Sequence, residues 1–178
     1  MCANAEELRF LVDANVGKLV RWLRTLGFDT VFAPAADDDD LLRWAEREGR
    51  VLLTRDRGLA GRRSVSQGRV RAVLARSEQW QEQLAELARV LPLVRAARPF
   101  TRCVACNTPL VPCPLDRAWR RVPVYVYQTQ GDFRECPACG RVYWRGTHWS
   151  HQSQTLKELL DIEIVPSPGP TSSDPTVP

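Results

Sequence analysis

The chain has 178 residues, 44% hydrophobic and 26% charged, which supports a packed core and excludes a globally disordered chain. No apolar run approaches the roughly 18 residues of a membrane helix, and Met1–Arg9 lack a basic stretch followed by an apolar one, so no membrane anchor or secretory signal is expected and the cytoplasm is the expected location. The net charge is +4, and of 25 basic residues only Lys18 and Lys157 are lysines; this arginine bias suits a phosphate-bearing partner and equally fits a genome biased towards arginine codons.

Phe10-Leu11-Val12 reads as a buried strand ending at Asp13. Val16, Leu19, Val20, Leu23 and Leu26 follow with helical spacing, and Gly27 is a ready cap. Thr30–Ala33 predicts a second strand. Asp37 to Asp40 lead a helix carrying Leu41, Leu42 and Ala45, which Gly49 ends. Val51–Thr54 predicts a third strand closing on Arg55-Asp56, and an Arg- and Gly-rich loop over Arg57–Arg69 leads to a fourth at Val70–Leu74. Trp80, Leu84, Leu87, Ala88 and Leu91 mark the apolar stripe of a further helix. Strands alternating with helices predict an α/β domain with a short, largely parallel sheet flanked by helices. No Gly-x-Gly-x-x-Gly follows the first strand, which argues against a dinucleotide cofactor.

The character changes near residue 98, with paired cysteines, prolines and short aromatic runs. Val124–Tyr127 and Val142–Trp144 read as strands, and a short helix is expected at about Gln152–Leu160. The tail, Pro166–Pro178, is mostly Pro, Ser and Thr, a composition of disorder. The expected organisation is an acidic α/β domain over 1–97, a small zinc-ribbon module with a C-terminal helix over 98–161, and a disordered tail over 162–178.

Six cysteines in a chain expected in a reducing compartment point to metal rather than disulfides. Cys103-Val-Ala-Cys106 and Cys136-Pro-Ala-Cys139 each aim two sulfurs at one point, with 29 residues between them and Gly140 directly after the second pair. Four thiolates make a closed tetrahedral shell, so Cys103, Cys106, Cys136 and Cys139 are expected to hold a structural Zn2+. A redox Cys-x-x-Cys would open a helix after a strand, with no matching second pair expected. Cys2, Cys113, His148 and His151 receive no role from the sequence.

Strand order 2-1-3-4, the usual choice for so short a unit, makes the first and third strands neighbours at a topological switch point. Asp13 and Asp56 would then stand side by side, and the second helix would bring Asp38 or Asp39 alongside. Three carboxylates gathered in one cleft call for a cation; hard oxygen ligands suit Mg2+ or Mn2+, which can activate water against a phosphodiester. Each acid also has a plainer use: Asp37–Asp40 as helix cap and dipole partners, Asp13 as a cap assisted by Asn15, Asp56 as an ion-pair partner of arginine. A dehalogenase-type phosphatase would need a second Asp where Asn15 stands, and a phosphoacceptor receiver would need a lysine between Lys18 and Lys157.

Phe10–Asp13, Gly17–Arg24, Leu26–Thr30 and Leu52–Asp56, with Pro99-Phe100, Arg102-Cys103, Cys106-Asn107, Cys136-Pro137, Cys139–Gly146 and His148-Trp149, resemble the Mut-seven C-terminal RNase family. The resemblance covers about Arg9 to His151. It implies a PIN-like nuclease domain fused to a zinc ribbon, RNA as substrate, a divalent metal, and carboxylates matching Asp13, Asp38 and Asp56, with Asp39 or Asp40 where further acids often stand. One departure is visible: Arg57-Gly58-Leu59 follows Asp56 where PIN-like nucleases commonly carry another acid.

The leading expectation is a divalent-metal-dependent ribonuclease. Its site is Asp13, Asp38, Asp39 and Asp56; Arg21, Arg24 and Arg55 contact the backbone of single-stranded RNA, and the products carry 5′-phosphates. The alternatives are a non-catalytic RNA-binding module and a protein-interaction adaptor that docks through the ribbon.

Overall fold

The computed structural model describes residues 8–162. Cys2 and all but the first residue of the expected disordered tail lie outside them. Strands β1 (Arg9–Val12), β2 (Asp29–Phe32), β3 (Val51–Thr54) and β4 (Ala72–Leu74) form one parallel sheet in the order β2-β1-β3-β4. A single 3-10 turn, Ala14–Val16, leads from β1 into α1 (Lys18–Thr25), and α2 (Asp38–Glu48) joins β2 to β3. Alternate residues of each central strand serve opposite faces. Phe10, Val12, Val51 and Leu53 pack with α1 residues Leu19 and Leu23 and with Leu84 and Leu87 of α5 (Trp80–Val90). Leu11 and Leu52 pack on the other face with Leu41, Leu42 and Ala45 of α2. Covering both faces is what makes β1 and β3 nearly continuous apolar runs.

The Arg57–Arg69 segment corrects the expected loop. It holds two short helices, α3 (Arg57–Ala60) and α4 (Arg63–Ser66). Asp56 caps α3 by accepting from the Leu59 amide at 3.0 Å, and Leu59 is buried in the second core. Leu59, Ala60 and Val65, scattered among arginines and glycines, carry no helical period, so the pattern was unreadable. Val70 is buried but lies in the turn before β4, since its amide and that of Arg69 bond the Ser64 carbonyl.

After α5 a short helix, α6 (Leu93–Ala96), leads into the ribbon. Its antiparallel sheet has the order β5 (Val111–Cys113), β6 (Phe133–Glu135), β7 (Val142–Tyr143). Between β5 and β6 lie α7 (Leu115–Ala118) and α8 (Val124–Thr129). The latter corrects the strand expected at Val124–Tyr127. Pro123 at the N-cap starts a helical turn; Val126 and Tyr127 pack on the ribbon's small core, while Val124 and Tyr125 are 60% and 73% exposed. The alternation of Val and Tyr imitated a strand.

The last helix, α9 (Thr147–Leu160), begins five residues before the expected start at Gln152. Its first half is polar and gives no apolar stripe. Leu156 and Leu160, one turn apart, bury in the core beside α1 and α5 rather than in the ribbon. No helix among the described residues is long and apolar enough to cross a membrane.

The two parts meet along a polar seam. Asn107 Oδ1 accepts from the Thr30 amide at 3.0 Å, and its Nδ2 donates to Asp29 Oδ1 at 2.7 Å. Arg24 donates to the Thr30, Val104 and Ala105 carbonyls at 2.8–3.1 Å. At Gly27, with φ of 89°, a Cβ would lie 2.1 Å from the Arg98 carbonyl oxygen, so glycine alone permits the ribbon's lead-in to cross here.

Candidate active site and metal centre

The carboxyl ends of β1 and β3 lie together because those strands pair directly, in the register Val12 to Leu53. The Asp13 amide bonds the Leu53 carbonyl at 3.0 Å, so Asp13 extends the ladder by one residue. The Thr54 hydroxyl donates to Asp13 Oδ2 at 2.6 Å and accepts from the Asp56 backbone amide at 2.9 Å. One side chain thus ties the two acids together. Asn15 Oδ1 accepts from the Arg55 amide at 2.9 Å, closing the same edge from the other side.

Asp37 caps α2 by accepting from the Asp40 amide at 2.8 Å, and Asp38, Asp39 and Asp40 fill the first turn, where their charge meets the helix dipole. Asp38 and Asp39 lie 3.7 and 3.4 Å from an Arg62 guanidinium nitrogen, and Asp40 pairs with Arg43. The structure therefore links Asp13 with Asp56 and sets the α2 acids at the end of the adjacent β2, facing Arg62. Among the described residues Asp13, Asp38 and Asp56 do not form a set of ligands gathered on one point. As donors they still suit a hard cation: Asp13 Oδ2 and Asp56 Oδ1 accept the bonds described, which leaves each carboxylate a second oxygen.

The three expected RNA-contacting arginines have different surroundings. Arg24 is committed to the three carbonyls of the seam. Burial pulls its pKa below the ordinary value, opposed by the thiolate charges of Cys103 and Cys106. Arg55 pairs with Glu78 at 2.9 Å. Arg21 is exposed on α1 and donates to the Gln152 amide oxygen at 2.7 and 3.2 Å, with that amide oriented to accept.

Cys103, Cys106, Cys136 and Cys139 converge, each Sγ within 4.8 Å of the others. Cys103 and Cys139 are 3.6 Å apart and Cys106 and Cys136 3.3 Å, against about 3.8 Å for sulfurs held tetrahedrally at 2.3 Å from one zinc. The two turns are built alike. Asn107 and Gly140 follow their pairs in left-handed backbone, φ 70° and 72°, and their amides bond the Cys103 and Cys136 carbonyls at 2.9 Å. The Cys139 amide points at Cys136 Sγ at 3.5 Å, and the Tyr143 hydroxyl lies 3.0 Å from Cys103 Sγ. Bonds with the Thr108 hydroxyl and amide, then with Cys136, hold the Cys106 thiol down to about 6. The Cys139 thiol is pushed up to about 11: a backbone bond at Arg141 lowers it, but desolvation and the other three sulfurs outweigh that. Neighbouring thiols that resist ionising together are what a dication reconciles. The donor set suits a structural zinc and leaves no position for a substrate water.

Cys113 lies on β5, buried against Ala118, Val122 and Phe133, with its thiol pushed up by desolvation. Neither His148 nor His151 belongs to the cysteine group; both are exposed on α9. Sequence reasoning missed Thr54 as a link, Arg62 as the counter-ion of α2, and Phe32, 40% exposed where β2 ends beside Gly17. Thr54 alone left a trace, standing in the Thr-Arg-Asp stretch.

A short parallel α/β domain with an acidic carboxyl edge, joined to a four-thiolate ribbon, is the class these features define. The chain belongs to the Mut7-C RNAse domain family, whose model matches residues 8–156. That membership carries a ribonuclease-like role in general and points to RNA as the substrate. Neither a curated protein nor a solved structure matches the chain.

Proposed function

We propose that this chain is a divalent-metal-dependent ribonuclease acting at the carboxyl edge of β1 and β3. The observation that carries the reading is the Asp13–Thr54–Asp56 linkage at the switch point of the sheet. Asp13, Asp56 and Asp38, with Asp39 beside it, would hold Mg2+ or Mn2+, which supplies an activated water and charge stabilisation at phosphorus. Thr54 fixes the Asp13 carboxylate so that its orientation does not depend on the ligand. Arg62 neutralises Asp38 and Asp39 and has to yield them. Arg21 and Arg55 are offered to the phosphates of single-stranded RNA, whereas the Arg24 donors are already committed. In this reading the part up to residue 97 carries the chemistry and the ribbon, 98–161, guides the strand. Reduced zinc thiolates suit the cytoplasm.

The test is cleavage of labelled single-stranded RNA with manganese by the wild type, Asp13→Asn and Asp56→Asn. Each substitution is expected to lower the rate about 10²-fold or more, and Thr54→Val about tenfold as an orienting partner. Equal cleavage by all four proteins would sink the site. A second reading, a non-catalytic RNA-binding module, is favoured by the Arg62 contacts to Asp38 and Asp39. It predicts RNA binding without added divalent metal and no cleavage by the wild type.

A further inference from the structure

A cavity of about 390 Å³ opens where the ribbon meets α1 and the start of α9; neither the four cysteines nor the acids of the β1–β3 edge line it. Arg21 and Thr25 line it from α1. Counted from Gly17 at the acidic end of that helix, they lie about 6 and 12 Å along its axis. The cavity is large enough for a nucleotide-sized ligand, and one RNA strand can reach both it and the edge.

Its walls combine two chemistries. Phe100 and Trp149 present rings 5.3 Å apart, inclined by 36°. Phe100 holds this position with φ of 59°, a left-handed conformation that is strained for a bulky residue, and its amide bonds the Thr25 carbonyl at 2.8 Å. Around the rings stand guanidinium groups. Arg145 lies 5.9 Å from the Trp149 ring centre and 3.3 Å from Asp132. Arg134, on β6, has no side-chain acceptor among the described residues and lines the same cavity. Arg21 meets only a neutral amide, that of Gln152, so its charge is not cancelled there. Flat apolar surfaces beside uncancelled positive charge match an aromatic base joined to a phosphate, and stacking of this kind serves single strands, whose bases are free to splay out.

We propose that this cavity seats one nucleotide of a single-stranded RNA, its base against Phe100 and Trp149 and its phosphate against Arg21 and Arg134. The proposal rests on the reading of RNA as substrate and makes the ribbon face part of the binding path. The affinity of a labelled single-stranded RNA is measured for the zinc-loaded full chain carrying Asp13→Asn, and again with Trp149→Ala or Arg134→Ala added. Each addition is expected to weaken binding about tenfold, while Trp149→Phe keeps most of it and a double-stranded RNA is indifferent to all three. In the otherwise wild-type chain, Trp149→Ala raises KM for a long RNA with kcat kept. If Trp149→Ala loses zinc, Arg134→Ala and Arg134→Lys decide, with lysine retaining part of the affinity. Unchanged affinity in zinc-loaded variants overturns the proposal, as does a parent protein that binds an acidic peptide and no RNA. Cleavage abolished by Asp13→Asn with silent cavity variants removes the cavity and leaves the ribonuclease. Cavity-dependent binding with no cleavage by the wild type removes the ribonuclease and leaves the cavity.

Discussion

The α/β part and the ribbon are stabilised by different means. Both faces of the parallel sheet are covered: Phe10, Leu19, Leu23 and Leu84 on one side and Leu11, Leu41 and Leu52 on the other are essentially inaccessible. The ribbon's own apolar cluster is small, with Cys113, Ala118, Val122 and Phe133 buried. Beside it the buried Glu135 carboxylate is gripped by Arg121 at 2.6 Å and Arg117 at 3.2 Å, and Arg121 also donates to the Gly140 carbonyl at 2.7 Å. Too few side chains are enclosed to offset the entropy of ordering this segment, so a zinc held by the four cysteines would do what burial does elsewhere. The two parts are nonetheless coupled, because the helix that ends the ribbon, α9, completes the core of the other part.

Metal removal breaks this comparison most severely. Structural zinc contributes about 10–16 kcal/mol of apparent binding energy in small zinc-dependent folds. Chelation, or Cys136→Ser, is expected to collapse the ribbon's amide dispersion in NMR spectra. Melting of the α/β part should also fall, because the seam through Asn107 and Arg24 loses its ordered side. A melting midpoint unmoved by chelation would show that the small core holds the ribbon without a metal.

The coupling through α9 is tested by Leu156→Ala. Leu156 is fully buried against the first core, so its truncation should cost about 2–5 kcal/mol and lower Tm by about 5–15 °C. Val124→Ala, at a site 60% exposed on the ribbon, should change stability by no more than about 0.5 kcal/mol. Similar costs for the two would mean that α9 is an ornament of the ribbon rather than a wall of the core.

What the sequence revealed divides along the same line. Buried parallel strands and amphipathic helices write their period into the chain, so β1, α1, α2 and β3, and the order β2-β1-β3-β4, were legible from apolar spacing and topology rules. Paired Cys-x-x-Cys turns were legible because metal geometry demands them. Structure made by single contacts was not. Leu59 is one buried residue in a polar stretch, Pro123 turns a strand-like Val-Tyr repeat into helix, and Leu156 with Leu160 signals only half of a fourteen-residue helix. At the acidic edge the strand ends identified Asp13 and Asp56, whereas Thr54 and Arg62 act through side-chain contacts to residues 41 and 23–24 positions away in the chain, which carry no periodic mark.

The seam itself gives the smallest and most discriminating effect. Desolvation raises the Asp29 carboxyl, but hydrogen bonds from Arg50 and Asn107, with the charges of Arg50 and Arg102, outweigh it and hold the group below the usual carboxylate range. A depressed pKa stabilises the fold above the unfolded value of about 3.9, and that stability is lost as the pH falls through the lower folded value. Asn107→Gly keeps the left-handed turn and removes both side-chain bonds. At pH 7 it should cost about 1–2 kcal/mol, allowing for the partial exposure of Asp29. Part of that cost is the bond to Thr30 and the entropy of glycine, and it is independent of pH. The remainder belongs to the Asp29 charge, so the gap between wild type and Asn107→Gly in urea midpoints should narrow as the pH is lowered from 5 towards 3. A gap that stays constant would assign the seam's stability to the neutral Thr30 bond, and the charged network of Asp29, Arg50 and Asn107 would then serve register rather than stability.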